Sequence, residues 1–107
     1  MKRVPPLLLS IFCFLLSGRS ANVTIAWTPL SSDYAVTNYT VCWGTQSEIY
    51  TQQVNAGTNA VCTVSNLNYN VVYYFAVVAE NSAGDMSLPS DELQWAQNKT
   101  GIHIITP

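Results

Sequence analysis

An all-β sandwich is the fold class this sequence predicts, on three observations. Short runs of alternating apolar and polar residues have the two-residue period of strands, and they recur at even spacing between turn signals. No segment after residue 20 carries a helical period. Glycine, proline and asparagine clusters punctuate the runs, which is how small sandwiches and barrels end their strands.

The strands follow in order after an N-terminal leader. Lys2 and Arg3 form a positive n-region, Leu7 to Leu16 an apolar run, and Ser17 to Ala21 supply small residues around a cleavage point. The run is shorter than the ~20 residues a bilayer span needs, so residues 1–20 are expected to be a signal peptide cut near Ser20, with an uncleaved N-terminal anchor as the alternative. Val23, Ile25 and Trp27 alternate in the first strand, which Thr28-Pro29 ends because proline cannot continue a central ladder. Val36, Tyr39, Val41 and Trp43 mark the second, closed by Gly44. Ile49 to Val54 predicts a shorter strand, with residues 55–59 as its turn. Ala60, Cys62 and Val64 alternate next, followed by Leu67. The most regular run is Val71, Tyr73, Phe75, Val77 and Ala79, closed by Asn81-Ser82-Ala83-Gly84. After Pro89, Leu93 and Trp95 alternate in the last strand. Residues 21–97 thus read as one domain and 98–107 as a tail, whose Ile102 to Ile105 is apolar enough for a short covering strand.

Charge excludes whole classes of function. Three of the four basic residues (Lys2, Arg3, Arg19) leave with the leader, so Lys99 alone stands against Asp33, Glu48, Glu80, Asp85, Asp91 and Glu92. A single lysine cannot neutralise a run of phosphates or hold an anionic membrane surface, so nucleic acid and membrane are excluded as partners. The remaining cysteines are Cys42 and Cys62. Cys62 is in phase with inward Val64 and Cys42 out of phase with Val41, so the two point to opposite faces, too far apart for an intramolecular disulfide unless a bulge shifts the phase.

Trp27, Tyr39-x-Val41, Cys42-Trp43-Gly44-Thr45, Ile49 to Gln52, Leu67 six residues before Tyr73, Tyr74 to Val77, Ala79, Asn81, Gly84 and Pro89 to Leu93 carry, in their order and spacing, a resemblance over most of the domain. The chain resembles a fibronectin type III domain of the kind common in secreted bacterial proteins. The resemblance implies an immunoglobulin-like β-sandwich of fibronectin type III topology, with a corner formed by Leu67 and Tyr73. Three departures stand out: Tyr69 replaces the usual proline after the corner leucine, Cys62 replaces a small or aromatic residue, and strand A is short or missing after cleavage. The first remaining strand would then be an exposed edge.

A sandwich interior needs large apolar residues, so Trp27, Tyr39, Val41, Leu67, Tyr73, Phe75 and Val77 are assigned to the core rather than to a stacking site. Tyr34, Tyr50, Tyr69 and Tyr74 are expected to be exposed. Cross-strand pairing on a solvated sheet explains them without a ligand; the functional alternative makes Tyr50 and Tyr74 contacts for a sugar ring or a protein anchor. In the loop Asn81 to Leu88, Asp85 and Met86 are further candidate contacts, against the simpler reading of a connecting turn.

Catalysis finds no support. His103 is the only histidine and lies in the tail, so no nucleophile has a base held on the scaffold. The acids are scattered, Asp91-Glu92 falls short of a calcium shell, and two cysteines with a distant histidine fall short of a zinc site. No enzyme activity, cofactor or metal is expected. The three sequons at Asn22, Asn38 and Asn98 decide little in a chain this rich in asparagine and threonine. The expected function is a secreted (extracellular or periplasmic) non-catalytic binding or adhesion module with a protein or polysaccharide partner. A carbohydrate-binding accessory module and a structural piece of a larger surface protein are the alternatives.

Overall fold

The computed structural model describes residues 20–98, together with the backbone of two strands outside that range. The order is β1 (Leu9–Phe14), β2 (Ser20–Trp27), a 3-10 turn (Ser32–Tyr34), β3 (Val36–Gly44), β4 (Gln52–Gly57), β5 (Val61–Asn68), β6 (Tyr73–Asn81), β7 (Leu93–Gln97) and β8 (His103–Thr106). They form two sheets, ordered β1-β2-β5 and β4-β3-β6-β7-β8. Every neighbouring pair is antiparallel. No described helix is long and apolar enough to cross a membrane.

The inward phase of each strand builds the core. Val23, Ile25 and Trp27 from β2 meet Val64 and Leu67 from β5, and Tyr39 and Val41 from β3 meet Phe75, Val77, Ala79 and Trp95. The rings interlock: Trp27 lies 5.5 Å from Tyr39 between centroids, and Trp95 lies 6.2 Å from Tyr73 and 6.4 Å from Phe75, the last nearly edge-on. Such tilted pairs set the positive ring edge against the negative face.

Tyr73 is buried at the start of β6, and its hydroxyl accepts the Asn68 N–H at 2.8 Å. That bond pins the end of β5 to the beginning of β6. Tyr73→Phe leaves the ring packed and deletes only the bond, so denaturant unfolding should show a loss of about 1 kcal/mol. Tyr39 acts similarly from β3, its hydroxyl accepting the Leu30 N–H at 3.0 Å.

Several boundaries differ from the sequence expectation. The strand expected at Ile49 to Val54 is β4 at Gln52–Gly57, because Ile49 instead pairs with Gln46 across a tight turn. Residues 55–57 therefore belong to the ladder with β3, and the turn falls at Thr58 to Ala60. β6 starts at Tyr73 rather than Val71. β1, drawn from the apolar run read as leader, occupies the outer edge of β2, the place of strand A. The tail strand β8 does not cover β2 as expected but lies against β7 in the other sheet, while β2 is flanked by β1 and β5. Cys42 and Cys62 are free, both half-buried, and stand on opposite sheets. Cys62 packs against the core. Burial pushes both thiols above their ordinary range.

Candidate functional site

Two connections come together beside the five-stranded sheet, and Gly44 shapes the first. At the end of β3 the backbone passes so close to the returning chain that a Cβ on Gly44 would lie 2.3 Å from the carbonyl oxygen of Ile49. The loop then makes a turn closed by the Ile49 N–H donating to Gln46 at 3.1 Å, with Glu48 at φ 64°. This geometry brings Ser47, Glu48 and Tyr50 to the segment that precedes β7.

Glu92 is the residue that receives them. Its Oε2 accepts the Ser47 hydroxyl at 2.6 Å, while Oε1 accepts the Glu48 N–H at 2.7 Å and the Tyr50 hydroxyl at 2.8 Å. Partial burial pushes the Glu92 carboxyl up, but the bonds from Ser47, Glu48 and Tyr50 outweigh it and hold it below its usual range. Tyr50 moves the other way: desolvation comes first, followed by the hydrogen bond and negative charge of Glu92, and its hydroxyl stays protonated well above the ordinary range. The two loops border an open cleft of about 400 Å³ lined by Glu48, Tyr50 and Leu88 to Glu92.

A carboxylate with a depressed folded-state pKa contributes stability above its unfolded value, here about 4.5, and loses it as pH falls through the lower folded value. Glu92→Gln should therefore remove a stabilisation of about 1 kcal/mol at neutral pH, limited by solvent screening, and flatten the acid limb of the stability profile. Hydrogen exchange at the Glu48 amide should accelerate in the same variant. Unchanged exchange there would mean that the loop is held by something other than Glu92.

The second connection is anchored to β6 by serines rather than by a regular ladder. Ser87 donates its N–H to Ala79 at 2.8 Å and its hydroxyl accepts the Ala79 N–H at 2.8 Å. Ser90 repeats this against Val77, at 2.9 and 2.8 Å. Three residues of the connection thus span two of β6, which bulges Leu88 and Pro89 outward. The turn itself is organised by Asn81, whose side-chain oxygen accepts the N–H groups of Ala83 and Asp85. Met86 and Leu88 project from this rigid loop, 58% and 51% exposed, and Ile49 on the first loop is 55% exposed.

Of the residues singled out from sequence, Tyr50 joins this site, Asp85 and Met86 stand on its second loop, and Tyr74 lies elsewhere. Tyr74 is on the outward phase of β6, in register with Gly44 and Gln94. Tyr34, Tyr50, Tyr69 and Tyr74 are all half-buried rather than exposed. For Tyr50 the reason is its bond to Glu92; Tyr69 packs against the core. On the same outward face, Asn38, Thr40 and Asn55 form an uncharged ladder, with the Thr40 hydroxyl donating to Asn55 at 3.1 Å. Among the described residues no group of three or more His, Cys, Asp or Glu could hold a metal. Sequence reasoning missed Glu92 as the hub and Ser87 and Ser90 as clamps. The serine spacing around Pro89 is a local signal for the clamps, whereas Glu92 meets partners more than 40 residues away and has none.

The family profile of the fibronectin type III domain matches residues 15–95. The chain belongs to the fibronectin type III domain family, and its fold is an immunoglobulin-like β-sandwich. It is similar to endoglucanase B of Cellulomonas fimi, 31% identical over 90 residues that make up 82% of this chain. The match spans only 8% of the endoglucanase's length. Among solved structures, chicken CNTN1 FN1-FN3 domains align with a TM-score of 0.73 at 21% identity, covering 92% of this chain and 33% of that one. A myokine structure aligns at 0.70 and 13% identity, covering 92% and 100%. These structural likenesses carry the fold alone.

Proposed function

We propose that the chain is a secreted, non-catalytic binding module: a leader over residues 1–20, one domain over 21–97 and a tail over 98–107. The observation that carries the reading is the pair of braced loops. Glu92 ties the Ser47 to Tyr50 loop to the chain before β7, and Ser87 and Ser90 clamp the other loop to β6, yet Ile49, Met86 and Leu88 stay exposed. Large apolar side chains held out on rigid loops favour contact with a partner over mere connection. Tyr50 lies beside Leu88 in the cleft, whereas Asp85 and Met86 stand toward the other end of β6, where Met86 pairs with Glu80. Pull-down from the native extracellular fraction should recover a partner with wild-type protein and lose it with Met86→Glu/Leu88→Glu. Recovery undiminished by that pair would remove these loops from the contact.

The endoglucanase relative favours a second reading, an accessory module that contacts polysaccharide. Here the half-buried Tyr74 and the uncharged Asn38, Thr40 and Asn55 ladder would face the sugar, with Tyr50 at the margin. A glycan array distinguishes the two: binding that falls in Tyr74→Ala supports the sugar reading, and no binding at millimolar ligand ends it.

A further inference from the structure

We infer that removing the leader converts the outer edge of β2 into a self-pairing surface, through which two copies of the chain join as an antiparallel, two-fold dimer. The inference rests on the leader reading above. β1 and β2 are paired over six successive positions, from Leu9 opposite Trp27 to Phe14 opposite Asn22, with no break in register. The expected cut near Ser20 falls between these two strands, so processing separates the members of one ladder. The strand that covers the edge is then on the discarded side.

What the cut leaves is a competent edge. The Trp27 N–H donates toward the β5 side, to Ala60 at 3.0 Å. Backbone groups alternate in direction along an antiparallel strand, so the N–H groups of Thr24 and Ala26 point the other way, toward β1. Unpaired edges are normally blunted by charge, proline or a bulge. From Val23 to Trp27 there is neither charge nor proline, and the only irregularity against β5 lies before it, between Ala21 and Val23.

A second copy is the occupant that fits. The edge calls for an extended, uncharged strand able to run antiparallel, and β2 itself meets that description. Two-fold pairing would join the sheets as β5-β2-β2-β5, with the same residues on both sides. The acids of the domain, Asp33 to Glu92, lie outside β2, so like-charge repulsion is not focused on the pairing line.

The test uses the full chain with a specific protease site inserted between Leu16 and Ser20. Sedimentation before cutting should give a monomer, and after cutting and removal of the released peptide a dimer, at concentrations up to roughly 100 μM. Ala26→Pro removes an edge donor without touching the β5 ladder, and Ala26→Lys places a charge on the edge should proline impair folding. Either should weaken the dimer at least about tenfold. A cut chain that stays monomeric, a dimer present before cutting, or a dimer that survives both variants would each overturn the inference. Intact mass of the naturally secreted product reads the leader separately. A product beginning at Met1 ends the leader reading, while the cut in vitro still decides whether the edge pairs.

Discussion

Trp95→Ala is expected to cost the domain about 3–5 kcal/mol, the range for truncating a large aromatic in a close-packed core. Trp95 is wholly buried and is the largest such side chain described, touching Tyr73 and Phe75 at centroid distances just above 6 Å. Alanine removes the ring from the contact between β6 and β7, and neighbours held by the Tyr73 corner cannot collapse into the space. Against a typical domain stability of about 5–15 kcal/mol, the loss takes a large share of the whole. The unfolding midpoint should fall by at least about 12 °C by calorimetry. Trp95→Phe should be much milder for a specific reason. The indole N–H of Trp95 is buried without an acceptor among the described residues, so phenylalanine discards a desolvated donor along with part of the ring. A loss below about 1 kcal/mol for alanine would place the ring outside the packed core.

Gly44→Ala is expected to destabilise by about 1–3 kcal/mol and to unseat the loop that carries Tyr50. The added methyl would meet the Ile49 carbonyl oxygen at 2.3 Å and the Thr51 nitrogen at 3.3 Å, both main-chain atoms that cannot rotate away. Relief requires the whole Ser47 to Tyr50 turn to move, and the three bonds to Glu92 move with it. The effect should therefore couple to Glu92. In a double-mutant cycle, Glu92→Gln should cost markedly less in the Gly44→Ala background than alone. Strict additivity would show that Gly44 acts on the sheet and not on the loop.

How much of this was legible in the sequence depends on whether a residue's fate is set by its strand phase. Val23, Ile25 and Trp27, Tyr39 and Val41, and Phe75 and Val77 alternate because one sheet face is buried, and that constraint writes itself into the chain at period two. β4 has a weaker record. In its sequence, QQVNAG, only Val54 and Ala56 carry the inward phase, both half-buried against the core, and the strand's position is decided by pairing with Thr40 to Trp43 of β3. Tyr50 reads from sequence as an exposed aromatic because nothing near it announces a partner; Glu92 lies 42 residues on. Local pattern reports burial, and it is silent on a hydrogen bond closed by the fold.

The serine clamps on β6 have a wider consequence. In a regular ladder the number of residues between two strands fixes which side chains face the core, so an insertion in one strand shifts every contact after it. Ser87 and Ser90 each satisfy a β6 residue with one amide and one hydroxyl, and the chain between them takes no part in the pairing. The register of β7 is thereby insulated from the length and composition of the loop. Residues could be added or exchanged around Leu88 and Pro89 while Leu93 and Trp95 keep their places, so this loop tolerates changes of length and composition at little structural risk.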